Sequence, residues 1–309
     1  VEDWGWEADF AAWLDNDCTF CTTLVDTIVP GRIRDAEEAA RVAERLGYDD
    51  PFLAVREPFQ MWGIQGDESL KEKLPFTKAG LPGVFVTPDV TPYKKRKVRI
   101  LNGAHTCFVP GAWLAGFDIV RDCMHDEVVR NFMNKMLYNE VIPTLAADLD
   151  VEDCKQFAAA VENRFDNPFI DHQLLSICLN STAKWRARDL PTLKDYVASE
   201  GRLPRCLATS LATLIAFYTT GLAGLQDDGL HLRRPDGAAY VAQDDASVLE
   251  FYVSHAADDD ATLVHAVLTN EQMWGEDLTA IEGFEDFVTA MLDVVRARGA
   301  KAAYAAALA

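Results

Sequence analysis

Apolar residues recur at three- and four-residue spacing along most of the chain. This period predicts amphipathic helices over 36–46, 127–145, 151–165, 170–187, 204–220, 246–255 and 284–297. Asp35 and Glu38 form a capping pair for the first of them, and Gly47 supplies its stop. Between residues 57 and 92 the period shortens. Segments 59–64 and 83–87 read as two strands joined by a charged connection marked by Pro and Gly. Two strands alone are marginal in water, so other elements must cover them. The alanine-rich tail from 300 to 309 reads as a last helix or a frayed end. The pattern as a whole predicts a mainly α fold, a multi-helix domain over 56–309 with a small antiparallel β element, preceded by a segment 1–55.

Composition narrows the classes of partner. The 309 residues carry 29 Lys and Arg against 49 Asp and Glu, a net charge of −20. Nucleic acid and anionic lipid surfaces would be repelled at long range, so no nucleic-acid or membrane partner is expected. A small anionic substrate is compatible only if a local basic patch overcomes the global field. The uncharged stretch 206–225 is long enough to cross a bilayer, yet it holds five Ser or Thr and two Gly, so it reads as a buried core helix. Seven scattered cysteines, an odd number, suit reduced thiols in a cytoplasm. The first seven residues lack Met, a basic n-region and an apolar h-region. They read as a chain entered midway and not as a secretory signal. No Gly-x-Gly-x-x-Gly or Gly-x-x-x-x-Gly-Lys occurs, so a complete dinucleotide-binding domain is not expected here.

The segment Lys94-Lys-Arg-Lys97-Val-Arg-Ile-Leu-Asn102-Gly-Ala-His105-Thr carries the densest candidate chemistry. On an α-helix, about 100° per residue places His105 at about 80° and Asn102 at about 140° from Lys97, so the three share a side. A lysine there suits proton transfer to a carbonyl or alcohol oxygen if burial and nearby cations lower its pKa from about 10.4. Asn102 and His105 would supply neutral donors for charge developing on that oxygen. The same residues also read as a basic, solvated helix start with a capping Asn and a packed His.

In this context Lys97, Asn102 and His105 resemble the Lys-x4-Asn-x2-His signature of the long-chain polyol and hexuronate dehydrogenases, the mannitol dehydrogenase family. The segment from Thr23 through Asp26 and Pro30 to Arg32, the approach Thr91-Pro-Tyr to Lys97, Arg164-Phe-Asp-Asn-Pro-Phe-Ile-Asp-His172, and Leu179 through Lys184 to Pro191 resemble further family motifs in order. The match runs from about Cys21 to Tyr218 and is closest to the tagaturonate reductase branch. The resemblance implies that Lys97 is the general acid/base, that Asn102 and His105 hold the reacting oxygen, and that no metal is needed. It also implies NAD as cofactor, a hexuronate or polyol as substrate, and a helical substrate domain behind the remnant of a Rossmann domain, with residues 1–55 as its trailing segment. Two positions depart: Thr27 stands where the family usually has Arg, and Ser176 where polyol-specific members have Arg. The second favours a uronate, so the expected reaction is NADH-dependent reduction of tagaturonate to altronate, with fructuronate or mannitol-type substrates as alternatives.

Lys184, Arg186 and Arg188 form a second basic cluster near a helix end. For a sugar acid, one of the three is expected to pair with the substrate carboxylate, an Arg bidentately, and Lys184 and Arg186 are the expected substrate contacts, Lys184 because the family matches it. The alternative for Arg186 and Arg188 is to complement the helix dipole. Cys18-Thr-Phe-Cys21 has no partner pair and reads as two buried thiols. His172 lies in a family-like motif, and the Asp258-Asp259-Asp260 run reads as a solvated loop. A helical module that binds a sugar acid or a protein partner without catalysis, or a purely structural protein, is the reading of another class.

Overall fold

The computed structural model describes residues 4–6, 8–33 and 35–309. Most of the opening stretch read as no secretory signal therefore lies outside the described residues. The chain divides into two compact units, one made of the residues up to 29 with 56–94, the other of 30–55 with 95–309. The division thus falls near residue 94, and the segment 56–94 groups with the opening residues instead of with the helices expected to follow it from 56.

The smaller unit holds a three-stranded sheet, β1 (Thr23–Asp26), β2 (Met61–Gln65) and β3 (Val84–Thr87), in that order. β1 runs antiparallel to β2, with Leu24 opposite Gly63. The two strands anticipated from the sequence, β2 and β3, pair in parallel, with Gly63 opposite Phe85. The expectation of an antiparallel pair is corrected here. The connection between them contains two short helices, Glu68–Lys73 and Pro75–Lys78, and is the long crossover that parallel strands require. Trp62 stacks on Phe76 at 4.7 Å between ring centroids and helps seat this crossover.

The larger unit is helical. Its centre is the helix Arg205–Thr219, buried at every position from Cys206 to Tyr218. The helices Gly103–Leu114, Phe284–Arg298 and Ala300–Leu308 pack against it. Ser210 and Thr213 in the core helix donate to carbonyls three residues back, and so reach burial without orphaned hydroxyls. Among the described residues no helix is long and apolar enough to cross a membrane. The alanine-rich tail is an integral helix: Ala300, Ala303, Tyr304 and Ala307 are buried, and the Tyr304 hydroxyl donates to the Phe108 carbonyl at 2.6 Å. Gly111 admits that tyrosine, since a Cβ there would collide with its hydroxyl.

Two anticipated helices are interrupted. The 170–187 stretch forms Leu174–Ile177 and Ser181–Arg188, broken at Asn180, whose φ of 52° ends the first turn. The 127–145 stretch is Glu127–Lys135, a π turn at Met136–Val141, and Ile142–Leu145. An antiparallel sheet that the sequence reading omitted follows the core helix: β4 (Gly224–Gln226), β5 (Gly229–Arg233) and β6 (Ala239–Ala242). Asp228-Gly229 between alternating apolar residues is the hairpin signal that marks it.

Candidate active site

Lys97 ends the helix Thr91–Lys97, and a π turn, Val98–Asn102, carries the chain into the buried helix Gly103–Leu114. The Gly103 N–H reaches back to the Val98 carbonyl, an i→i+5 bond. That turn changes the geometry expected from an ordinary α-helix.

His105 is 6% exposed. Its ring stacks on Phe165 at 4.1 Å between centroids and 18° between planes, and meets His172 edge-on at 5.3 Å. Phe165 and Arg164 come from the last turn of the helix Val151–Phe165. His172 is fixed by its carbonyl, which accepts from the Val120 N–H at 3.0 Å. Burial holds the His105 pKa well below the usual histidine value, and His172, Arg188, Arg164 and Lys97 push it the same way. Burial also pushes His172 down to about 4. Both rings are therefore neutral near pH 7, and three cations lie close enough to act on the first.

The helix Ser181–Arg188 contributes the third wall. Lys184 and Arg188, four residues apart, share one face. Arg188 Nη1 donates to Thr106 Oγ1 at 3.0 Å, and that hydroxyl donates to the Asn102 carbonyl at 3.0 Å. Lys184 Nζ donates to the Ile177 carbonyl at 3.0 Å, and burial followed by the nearby Arg188 charge lowers its pKa. Arg186, half a turn away, lies apart from this group. It is exposed and lines a cavity of about 260 Å³ with Thr182, Asp245, Asn270 and Gln272. Ser176 lines a cavity of about 560 Å³ beside Gln173, Cys178 and Phe217.

Several buried polar atoms at the turn have no hydrogen-bond partner among the described residues: Asn102 Oδ1, His105 Nε2 and Asp189 Oδ2. Asp189 is pressed against the turn itself, since a Cβ on Gly103 would lie 3.0 Å from its Oδ1. Burial raises the Asp189 pKa well above the usual carboxylate value. An unpartnered buried polar atom costs about 1–3 kcal/mol, and three of those in the described residues lie at or against this turn.

The sequence reading named Lys97, Asn102 and His105 together, and the π turn sets them along one stretch of chain. It gave no role to Phe165, Thr106 or Asp189, and it read Arg188 either as a partner for the substrate carboxylate or as a helix-dipole cation. Phe165 stood in a quoted motif, and the Lys184 to Arg188 spacing was a signal available from the sequence. Among the described residues no group of three His, Cys, Asp or Glu converges as a metal site would.

The chain is similar to proteins of one known family. Residues 89–295 match the mannitol dehydrogenase C-terminal domain, and residues 3–78 match the mannitol dehydrogenase Rossmann domain. The chain is 42% identical to the altronate oxidoreductase of Yersinia enterocolitica over 98% of its own length and 60% of that protein's. It is likewise 42% identical to the altronate oxidoreductase of Pectobacterium atrosepticum, covering 97% of this chain and 60% of the relative. It thus spans about 60% of the length of these curated relatives. Among solved structures, the mannitol 2-dehydrogenase of Pseudomonas fluorescens in ternary complex with NAD and D-mannitol shares the fold, with a TM-score of 0.75 at 22% identity. That likeness covers 97% of this chain and 56% of the other. A substrate-free D-sorbitol dehydrogenase gives 0.73 at 22% identity over 96% of this chain and 56% of its own.

Proposed function

The chain belongs to the mannitol dehydrogenase family, and from that premise we propose that it is the substrate-binding and proton-transferring part of an NAD-dependent hexuronate oxidoreductase that interconverts tagaturonate and altronate. The observation that carries this reading is the gathering of Lys97, Arg164 and Arg188 around a neutral, buried His105 in a chain of net charge −20. Clustered cations in an acidic protein form the local field that an anionic sugar needs and a neutral polyol does not. The curated relatives named altronate oxidoreductase support the same substrate, as does Ser176 in place of the Arg of polyol-specific members.

In the reductive direction the carboxamide of Asn102 and the imidazole of His105 hold the ketone oxygen. The donors are Asn102 Nδ2 and a His105 Nε2–H, the second of them a buried atom without a partner among the described residues. Bound NADH supplies the hydride to the ketone carbon. Lys97 Nζ gives its proton to the oxygen as the alkoxide forms, and the alcohol leaves with that proton. His105 stays neutral, so it adds no competing proton at neutral pH. Lys184 lies along the substrate's path on the face it shares with Arg188. Arg186 is left out of this pocket because it faces a different cavity. No residue of this chain is assigned to the nucleotide, whose fingerprint the sequence lacks. The cysteine pattern supports a cytoplasmic setting.

The test is NADH oxidation by a full-length version with tagaturonate, fructuronate and fructose as separate substrates. Preference for tagaturonate over fructose by at least about tenfold in kcat/KM is expected. Absence of oxidation with every ketose and hexuronate would contradict an oxidoreductase and leave the sugar-acid-binding module in its place.

A further inference from the structure

We infer that Arg188 is the residue that grips the carboxylate of the sugar acid, and so sets the preference for charged over neutral substrates. This rests on the hexuronate reading above and names the side chain that enforces it.

The half-buried arginines of the larger unit are mostly matched with acids. Arg96 is bonded to Asp153, Arg99 to Asp195, Arg121 to Asp171, and Arg234 to Asp118 and Asp236. Arg205 is not, and donates to the Ala306 carbonyl in the last helix; nor is Arg188. Its guanidinium spends one N–H on a neutral hydroxyl, that of Thr106, and among the described residues no carboxylate lies within ion-pair distance of it. The acid next to it in sequence, Asp189, is turned into the core against Gly103. A half-buried guanidinium with no carboxylate at ion-pair distance among the described residues, its nearest acid Asp189 being buried and held toward its neutral form, is suited to take an anion.

Position completes the argument. The single bond Arg188 makes ties it to Thr106, the residue after His105, and through that hydroxyl to the Asn102 carbonyl. Its charge is therefore fixed beside the groups that would hold the reacting oxygen, with the remaining donors of a planar fork left for a carboxylate. Neither rival matches it. Lys184 turns its ammonium to the Ile177 carbonyl and offers a point charge where a fork binds two oxygens at once. Arg186 faces another cavity.

The experiment compares the full-length enzyme with Arg188→Met and Arg188→Lys, measuring kcat and KM for tagaturonate and for an uncharged ketohexose. Loss of a bidentate, charge-assisted pair is expected to raise the tagaturonate KM about 100-fold in Arg188→Met and to change kcat/KM for the ketohexose only a few-fold. Arg188→Lys keeps the charge and should recover part of the loss, and added guanidinium ion should partly rescue Arg188→Ala. An unchanged tagaturonate KM in Arg188→Met overturns the inference. Equal losses on both substrates also overturn it, because Arg188 would then act through Thr106 and His105. If the parent enzyme reduces no hexuronate at all, the functional reading itself fails, and that is seen before any variant is made.

Discussion

The larger unit contains two π turns, and they treat buried polar groups in opposite ways. At Met136–Val141 the inserted residue presents Glu140, 3% exposed, to the start of the core helix. Both of its oxygens are used, accepting from the N–H groups of Cys206 and Leu207 at 2.8 and 2.9 Å. Pro204, the residue that opens that helix, offers no side-chain cap, so a carboxylate from a distant turn takes its place at the positive end of the helix dipole. At Val98–Asn102 the inserted residue has the contrary result. Asn102 Oδ1 and His105 Nε2 are buried and unanswered, with cations drawn up around them. The same backbone device thus serves stability where its polar groups are satisfied from within. In the proposed reading it marks a binding site where they are left for a substrate to satisfy.

Breaking each turn's key side chain should separate the two roles. The largest effect is expected for Lys97→Met in the full-length enzyme: turnover falls about 10²–10⁴-fold, the contribution typical of a general acid/base, with NADH binding and the unfolding midpoint nearly unchanged. Steady-state kinetics and nucleotide titration check this, and turnover within a few-fold of the parent would remove the lysine from its role. Glu140→Ala should do the reverse. Orphaning two N–H groups at the head of the core helix costs about 2–4 kcal/mol of stability in urea unfolding, with kcat per folded molecule kept. A drop in kcat without loss of stability would erase the distinction between the turns.

A further effect is one of pH. Burial lowers the folded-state pKa of both His105 and His172, the latter to about 4. Below the unfolded value of about 6.5 the unfolded chain takes up protons that the folded chain refuses, so stability falls as pH drops from about 6.5 toward 4. Each ring contributes a slope approaching about 1.4 kcal/mol per pH unit. Urea unfolding between pH 7 and 5 should show this decline, and His105→Asn should make it shallower by one ring's share. An equal slope in variant and parent would mean that His105 titrates in the fold as it does in the unfolded chain.

Much of this was legible in the residues. The capping pair of Asp35 and Glu38 with Gly47 fixed the helix Ala36–Leu46, because caps are local chemistry. The core helix was bounded to within a residue by its apolar run. Lys97, Asn102 and His105 were singled out by their spacing and by a family motif. The π turn was not legible, since Val-Arg-Ile-Leu-Asn keeps its apolar residues inward under either helical period. The company His105 keeps was also out of reach, for Phe165, His172 and Arg188 arrive from other elements through packing that no local pattern encodes. Strand direction in the β1–β3 sheet failed for a related reason: pairing is decided by the crossover between strands and not by the strands' own alternation.

The most direct test of the central claim is a crystal structure of the full-length enzyme with altronate bound. The account predicts a sugar oxygen within about 3 Å of both the Asn102 carboxamide and His105 Nε2, with Lys97 Nζ on the alcohol oxygen. Altronate bound elsewhere, with those buried atoms still without partners, would contradict it.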